Sequence, residues 1–373
     1  MNIANYSTWL EIDLGAVRNN VRRMKAITGR GVIAVIKGNG YGHGLVEMGR
    51  AVSQAGADYL AVARIEEALP LRQAGITTPV LVLGYITPAM AEATIANEIS
   101  FAVYDPELAQ IFAARAAALG KPARMHVKID SGMGRLGKFP EDGMDFIRWL
   151  KTLPGAEVEG LFTHFARSDE PAHPFTNEQI ACFTTLVKAL EENNLRPRVI
   201  HAANSAAALY FPAARFDMVR SGIALCGLHP DEKDARLPDD FETALTWKAR
   251  LTSVKILPPG HCVGYMHRYV TTGTERIGAI SAGYADGLPR RVGNPVIVGG
   301  KRVKVVGGTG MDQCMVPLDG IPDAQVGDEV VLIGRQGEAR LTAEEVGAEW
   351  GTNNYDVVCG LQARLPRVYF NRE

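Results

Sequence analysis

No run of apolar residues in this 373-residue chain approaches the roughly 18 that a membrane-spanning helix needs, so no membrane partner is expected. Charge of one sign is equally scarce. Forty Lys and Arg against 41 Asp and Glu leave a net charge of −1, and no basic block offers the positive footprint that nucleic acid requires. The opening residues, MNIANYSTWLEIDLGAVRNN, lack a cationic stretch followed by an apolar core and do not read as a secretory signal. Cysteine is sparse and scattered: Cys182, Cys226, Cys262, Cys314 and Cys359 are odd in number and never in C-x-x-C spacing. That argues against a disulfide framework or a metal site and for reduced thiols in a cytoplasmic protein. What is present is 47% apolar and 22% charged residues, the composition of a globular chain with a large core. The length favours about two domains.

Over the first 225 residues, short β-branched runs alternate with longer amphipathic stretches. The runs at 31–36, 58–63, 79–84, 99–104, 124–130, 158–165, 196–203 and 215–222 read as strands. Between them, 105–120 and 177–194 carry helical patterns; the first opens on Asp-Pro and closes on Gly, as helix boundaries do. Eight such strands predict an α/β fold of the (β/α)8 barrel type. An open doubly wound sheet is the competing architecture, and the strand count reaching eight favours the barrel. Near residue 240 the texture changes to strands at 245–257, 275–285, 294–308 and 327–334 with glycine-centred turns and little helix, a mostly antiparallel β domain. VGGKR there is a hairpin signal. The expected division is 1–12 as an N-terminal strand pairing with the β domain, 13–238 as the barrel and 239–373 as the β domain. Asp13 is placed to cap the helix after it.

Barrel enzymes build their sites at the C-terminal ends of the strands. Lys37 ends the first strand, inside AVIKGNGYGHG; Lys128, Asp130 and Arg135 follow the fifth, in KIDSGMGRLG; His164 ends the sixth. The seventh leads into His201, Asn204 and Ser205, and the eighth into Arg220, Ser221 and Gly222. Each alone has an ordinary explanation as a solvated lysine, a core histidine or a turn. All converge on one mouth. The loops after strands seven and eight are where such barrels bind phosphate with backbone N–H groups. A phosphate there, a lysine on strand one and an arginine on strand eight describe a site for pyridoxal 5'-phosphate.

The segments AVIKGNGYGHG, KIDSGMGRLG, GLFTHFA, HAANSAA, DMVRSGIALCG, GYADG, GMDQ and NNYD occur in the order found in bacterial alanine racemases, which the chain resembles over essentially its whole length. The resemblance implies a PLP-dependent amino-acid racemase that supplies D-alanine as a cell-wall precursor, working as a homodimer with active sites at the interface. Racemisation moves a proton off one face of Cα and onto the other, so two groups on opposite faces are the simplest solution. By resemblance these are Lys37, which also anchors the cofactor covalently, and Tyr265, reaching in from the second subunit. A lysine at its ordinary pKa near 10.4 is protonated at neutral pH, so this role demands a depressed value, worth roughly 4 kcal/mol.

The resemblance further implies that Tyr41, His164, Asn204, Ser205, Arg220, Gly222, Ile223 and Tyr355 bind the cofactor, with His164 and Arg220 also standing behind Tyr265. Arg220, opposite the pyridine nitrogen, would keep that nitrogen unprotonated and the cofactor a weaker electron sink. Arg135, Met311, Asp312 and Tyr284 match substrate-side positions, and Lys128 matches a lysine often carbamylated in relatives; an unmodified Lys128 bonded to a nearby acid fits the sequence as well. Where the family usually carries alanines, this loop has Gly38 and Gly40, and Gly310 replaces a cysteine or serine. The expected consequence is a looser, roomier pocket and turnover of serine or larger amino acids, although Tyr355 is retained. A PLP-dependent decarboxylase of the same architecture and a non-catalytic PLP carrier are the rival readings.

Overall fold

The computed structural model describes residues 3–231 and 233–372. The chain divides into two compact units, one made of residues 16–242 and the other of 1–15 together with 243–373.

Strand β1 (Thr8–Asp13) belongs to the second, discontinuous unit. Asp13 at its end accepts the Gly15 N–H through Oδ1 at 2.8 Å, capping the helix Leu14–Thr28. The continuous unit is a closed barrel of eight strands: β2 (Gly31–Val35), β3 (Tyr59–Val62), β4 (Val80–Val82), β5 (Ile99–Val103), β6 (Ala123–Lys128), β7 (Ala156–Phe162), β8 (Val199–His201) and β9 (Met218–Ser221). Neighbours pair in parallel throughout, and β2 against β9 closes the ring. Strands β3, β4 and β5 are buried at every residue. Parallel strands covered on both faces must be apolar almost continuously, which is why β-branched runs announced them. Each Val, Leu, Ile or Phe so buried contributes roughly 1.5–3 kcal/mol.

The helix expected over 105–120 spans Pro106–Leu119, with Asp105 accepting the Leu108 N–H at 2.8 Å and Gly120 left-handed at its end. The one expected over 177–194 starts earlier, at Phe175, and ends at Glu192.

In the discontinuous unit, the 13-residue strand β10 (Leu245–Leu257) is the hub. It pairs antiparallel with β1, with β11 (Glu275–Ile280) and, later in the chain, with β15 (Glu329–Gln336). Between these lie β12 (Pro295–Val298) and β13 (Lys301–Lys304), joined as expected by a two-glycine hairpin turn with φ of 54° and 74° at Gly299 and Gly300. Strands β14 (Cys314–Pro317), β16 (Ala339–Leu341) and β17 (Arg367–Phe370) complete the set, and β17 runs parallel to β1.

The structure differs from expectation at three places here. The strand over 275–285 stops at Ile280, because residues 283–288 form a turn closed by Asp286 and Leu288 N–H bonds to the Gly283 carbonyl. The unit also contains helix, Ala343–Trp350 and Asn354–Cys359; the first begins at a reciprocal Thr342–Glu345 capping box. Strands β14, β16 and β17, only three or four residues long, were not anticipated.

Candidate active site

The loop after β2 makes one turn of left-handed backbone. Gly38, Asn39 and Gly40 have φ/ψ of 62°/45°, 55°/45° and 65°/40°, and Tyr41 continues at φ 52°. An L-residue loses roughly 1–2 kcal/mol in this region, whereas glycine enters it freely. The glycines therefore answer to a backbone demand. A Cβ on Gly40 would stand 2.9 Å from Met48 Cγ, so the position is filled by Met48 packing. The expectation that these glycines widen the pocket is corrected on that ground at Gly40: the missing methyl makes room for Met48. Glu67, which the sequence reading missed, holds the turn. Its carboxylate accepts the Gly38 N–H at 2.7 Å and the Ala63 N–H at 2.9 Å. Asn39 Oδ1 accepts the Leu45 N–H at 2.9 Å, starting the next helix. The result is a rigid mount for the exposed side chain of Lys37 and the buried ring of Tyr41.

From β9, Arg220 lies buried in the barrel and donates through both Nη atoms. Its acceptors are the carbonyls of Thr163, His201 and Ala202 at 2.8–3.0 Å, His201 Nδ1 at 2.9 Å and His164 Nδ1 at 3.1 Å. A guanidinium has five N–H groups; the Nη set is committed here, leaving Nε–H. Burial, then Arg135, lowers the Arg220 pKa to about 9, so it remains a cation at neutral pH. Because a guanidinium only donates, the proton of a neutral His164 sits on Nε2. Burial and the cations Arg220, Arg135, Lys128 and Lys37 push His164 well below its usual range.

Lys128, at the end of β6, is 5% exposed, and its Nζ lies over the Phe162 ring and donates to the Ile129 carbonyl at 2.6 Å. Burial and Arg220 lower its pKa to about 7. Asp130 makes no hydrogen bond with it; Oδ1 instead collects the N–H groups of Gly132, Met133 and Gly134, shaping the loop that presents Arg135.

The phosphate-side residues converge as well. Asn204 caps the helix Ser205–Tyr210, its Oδ1 accepting the Ala207 N–H and the Ser168 hydroxyl at 2.9 Å. Ser205 Oγ accepts the Gly222 N–H at 3.0 Å, and buried Ile223 follows. A Cβ on Gly222 would lie 2.4 Å from the Tyr41 hydroxyl, so the loops after β2 and β9 meet through a missing side chain. Cations gather at this mouth: Lys37, Lys128, Arg135 and Arg220 all act on His164, while Asp130 acts on Lys128. That donor set and the Tyr41–Gly222 cradle fit a phosphate-bearing anionic cofactor such as PLP.

In the discontinuous unit, Tyr265, Tyr284 and Met311 are exposed, Tyr265 by 74%. They are neighbours: the Tyr284 N–H bonds the Gly310 carbonyl at 3.0 Å, Ala285 N–H bonds that of Met311 at 3.0 Å, and a Cβ on Gly310 would lie 3.9 Å from the Tyr265 ring. Asp312 pairs with Arg364 at 2.9 Å. Tyr355 lies half-buried in the helix Asn354–Cys359.

A parallel barrel with a lysine, two arginines and an anion cradle at the C-terminal ends of its strands, in a chain that also carries an antiparallel β unit, defines an α/β-barrel protein built to hold an anionic ligand. The comparisons make that class specific: residues 12–230 match the alanine racemase N-terminal domain and 244–369 the alanine racemase C-terminal domain, so the chain belongs to the alanine racemase family. It is 45% identical to the alanine racemase of Symbiobacterium thermophilum over 97% of both chains. It is 40% identical to that of Methanococcus maripaludis over 99% of this chain and all of the other. Among solved structures, Clostridium difficile alanine racemase superposes with a TM-score of 0.93 at 39% identity, covering 100% of this chain and 98% of that one. The Bacillus anthracis enzyme with bound L-Ala-P gives 0.91 at 36%, over 98% and 96%.

Proposed function

We propose that the protein interconverts L- and D-alanine with pyridoxal 5'-phosphate as cofactor and Lys37 and Tyr265 as the two proton carriers. The observation that carries this is the cationic mouth in which Lys37, Arg135 and Arg220 gather around a neutral His164. The cofactor, when bound, supplies a conjugated ring that delocalises the electron pair left at Cα after deprotonation.

Lys37 would hold the cofactor, and its free amine would move a proton between Nζ and one face of Cα. Tyr265, supplied by a second copy of the chain, moves the other proton on the opposite face. His164 has an N–H on Nε2 to offer a phenolate. Arg135, with Met311 and Asp312 from the second copy, orients the substrate carboxylate, and Tyr284 narrows the entrance. Tyr41, Asn204, Ser205, Gly222, Ile223 and Tyr355 seat the phosphate. Arg220 would keep the ring nitrogen unprotonated, because a fixed cation disfavours a second positive charge beside it. That limits electron withdrawal and suits a reaction in which the proton must return quickly. A carbamate on Lys128 would turn one cation of the cluster into an anion facing Arg135. The exposure of Tyr265, Tyr284 and Met311 supports a homodimer. None of the helices among the described residues is long and apolar enough to cross a membrane, in keeping with a cytoplasmic enzyme supplying D-alanine for the cell wall.

Incubation with each enantiomer of alanine and PLP in D2O tests this. Loss of optical activity with deuterium at Cα is expected; exchange without inversion in the wild type would contradict the two-carrier assignment. Lys37→Ala should lose covalent attachment of the cofactor. Tyr265→Ala should retain attachment and exchange with one enantiomer while losing racemisation.

A further inference from the structure

Beneath Arg220, inside the barrel, polar side chains form a single hydrogen-bonded line. Arg220 Nη1 lies 2.9 Å from His201 Nδ1, His201 Nε2 lies 2.9 Å from His126 Nδ1, and His126 Nε2 lies 3.1 Å from Glu159 Oε2. Both histidines are fully buried and Glu159 is 5% exposed. The barrel makes room for the line: a Cβ on Gly160 would fall 2.2 Å from His126 Nδ1. Phe162 stacks on the His201 ring, with centroids 4.9 Å apart.

One arrangement of protons satisfies every member. A guanidinium has no acceptor, so His201 Nδ1 must carry a lone pair. The proton of His201 is then on Nε2, where it donates to His126 Nδ1. His126 keeps its own proton on Nε2 and donates it to the carboxylate. All bonds run from Arg220 towards Glu159. A proton added to His126 Nδ1 would meet the N–H of His201, and reversing His201 would set N–H against N–H at Arg220. Burial, then Arg220, holds His201 well below its usual pKa. Burial raises Glu159, but hydrogen bonds from His126, Ser100 and Tyr59 outweigh it and hold the carboxyl below its ordinary range. The anion is secured from its far side by Tyr59 at 2.9 Å and Arg198 at 2.7 Å, beside a cavity of 700 Å3 at the N-terminal ends of the strands. The hydrogen-bond acceptors of Arg220 are otherwise neutral, so Glu159 is the anion that terminates its hydrogen-bonded line.

We propose that His126 and Glu159 are positioning residues for Arg220: by fixing His201 as an acceptor at Nδ1, they hold the guanidinium's aim and thereby keep the enzyme on racemisation rather than transamination. This rests on the reading that Arg220 faces the cofactor ring nitrogen. In transamination, alanine is oxidised at Cα and leaves as pyruvate, while the cofactor aldehyde carbon is reduced and keeps the amino group, giving pyridoxamine phosphate. The cofactor itself is the oxidant, so no other reagent is needed.

The first test reads the proton positions in the wild type itself, with variants used only to assign the signals. In 15N-labelled wild-type holoenzyme, long-range 1H–15N correlations of the eight histidines, assigned with single His→Gln variants, report each tautomer. His201 and His126 are both expected as neutral Nε2–H forms; His201 as the Nδ1–H form or as an imidazolium would overturn the proposal. The second test counts pyruvate per racemisation event. His126→Leu removes the acceptor for His201 Nε2–H, and a rise of roughly tenfold in that partition is expected, the scale typical of lost outer-shell partners. His126→Gln, whose amide can accept from His201 and donate to Glu159, should restore it. A His126→Leu protein that folds, binds PLP and keeps the wild-type partition defeats the proposal while leaving the racemase reading intact. A wild type that neither binds PLP nor racemises alanine defeats that reading instead, and the tautomer measurement still judges the hydrogen-bonded line.

Discussion

The Tyr41 hydroxyl occupies the place where a side chain on Gly222 would begin, 2.4 Å from the position of its Cβ. Tyr41 belongs to the loop that carries Lys37, and Gly222 to the loop after β9, so two loops distant in sequence depend on one absent methyl. Gly222→Ala must displace the buried ring of Tyr41 and the N–H bond from residue 222 to Ser205. PLP affinity, followed by fluorescence titration of cofactor-free protein, should fall about tenfold, or ~1.4 kcal/mol. Retained affinity would mean that Tyr41 does not take part in the cradle.

Gly38→Ala with Gly40→Ala restores the residues usual in the family at positions whose φ is 62° and 65°. Each alanine should cost roughly 1–2 kcal/mol from the left-handed backbone. At position 40 the contact with Met48 adds to this. A lowered Tm is the expected outcome, with the ratio of kcat/KM for alanine over serine unchanged. A double variant of undiminished Tm that gained selectivity for alanine would reinstate the idea that the glycines enlarge the pocket.

Lys128 has its pKa lowered from 10.5 to about 7 by burial and Arg220. Folding therefore disfavours its protonated form. The resulting cost is fully present below about pH 7 and is relieved as pH rises towards the unfolded value. The neutral amine is also the form that attacks CO2. With 13C-labelled bicarbonate, a carbamate carbon signal should grow from about pH 6 to about pH 8, following the ionisation of the lysine. Lys128→Arg should abolish the signal. A signal of constant intensity across that range would separate carbamate formation from this ionisation.

The proposed meeting of Lys37 and Tyr265 from two copies of the chain predicts complementation between two dead variants. Lys37→Ala and Tyr265→Ala, unfolded together and refolded as a mixture, form mixed dimers as half of the population. Each mixed dimer holds one intact pair of Lys37 and Tyr265 and one doubly defective pair. About a quarter of wild-type activity should return, as isologous pairing requires. Recovery no greater than the sum of the separately refolded variants would place both residues in one chain's site.

The barrel was legible because strands buried on both faces cannot alternate with polar residues, and runs such as 58–63 and 79–84 stand out against amphipathic helices. Strand β10 was readable to the residue for a related reason: alternating burial over its first half. The short strands β14, β16 and β17 carry too few residues to establish a period. The positions of Lys37, Arg220 and the loops after β8 and β9 could be read because they lie at strand ends. Glu67, His126 and Glu159 could not, because their work is done behind the site. Their signal existed: His126 in MHVK and Glu159 in VEGLF are polar residues inside otherwise apolar strands, a pattern that marks a hydrogen-bonded interior. The left-handed turn after Lys37 was hidden because glycine is equally compatible with many backbone paths.

Strand β1 lies between β10 and β17, pairing antiparallel with one and parallel with the other. Residues 8–13 thus leave the ribosome before all 227 residues of the barrel segment 16–242, and their last partner, residues 367–370, follows more than 350 positions later. Contacts of such separation are slow to form, and domains tend to fold as they emerge. The barrel is an insertion that can complete itself during synthesis, while β1 waits as a solitary strand with both edges open. The β unit therefore closes only once residues 367–370 have emerged, and truncation within β17 would expose one flank of β1 without touching the barrel's own hydrogen bonding.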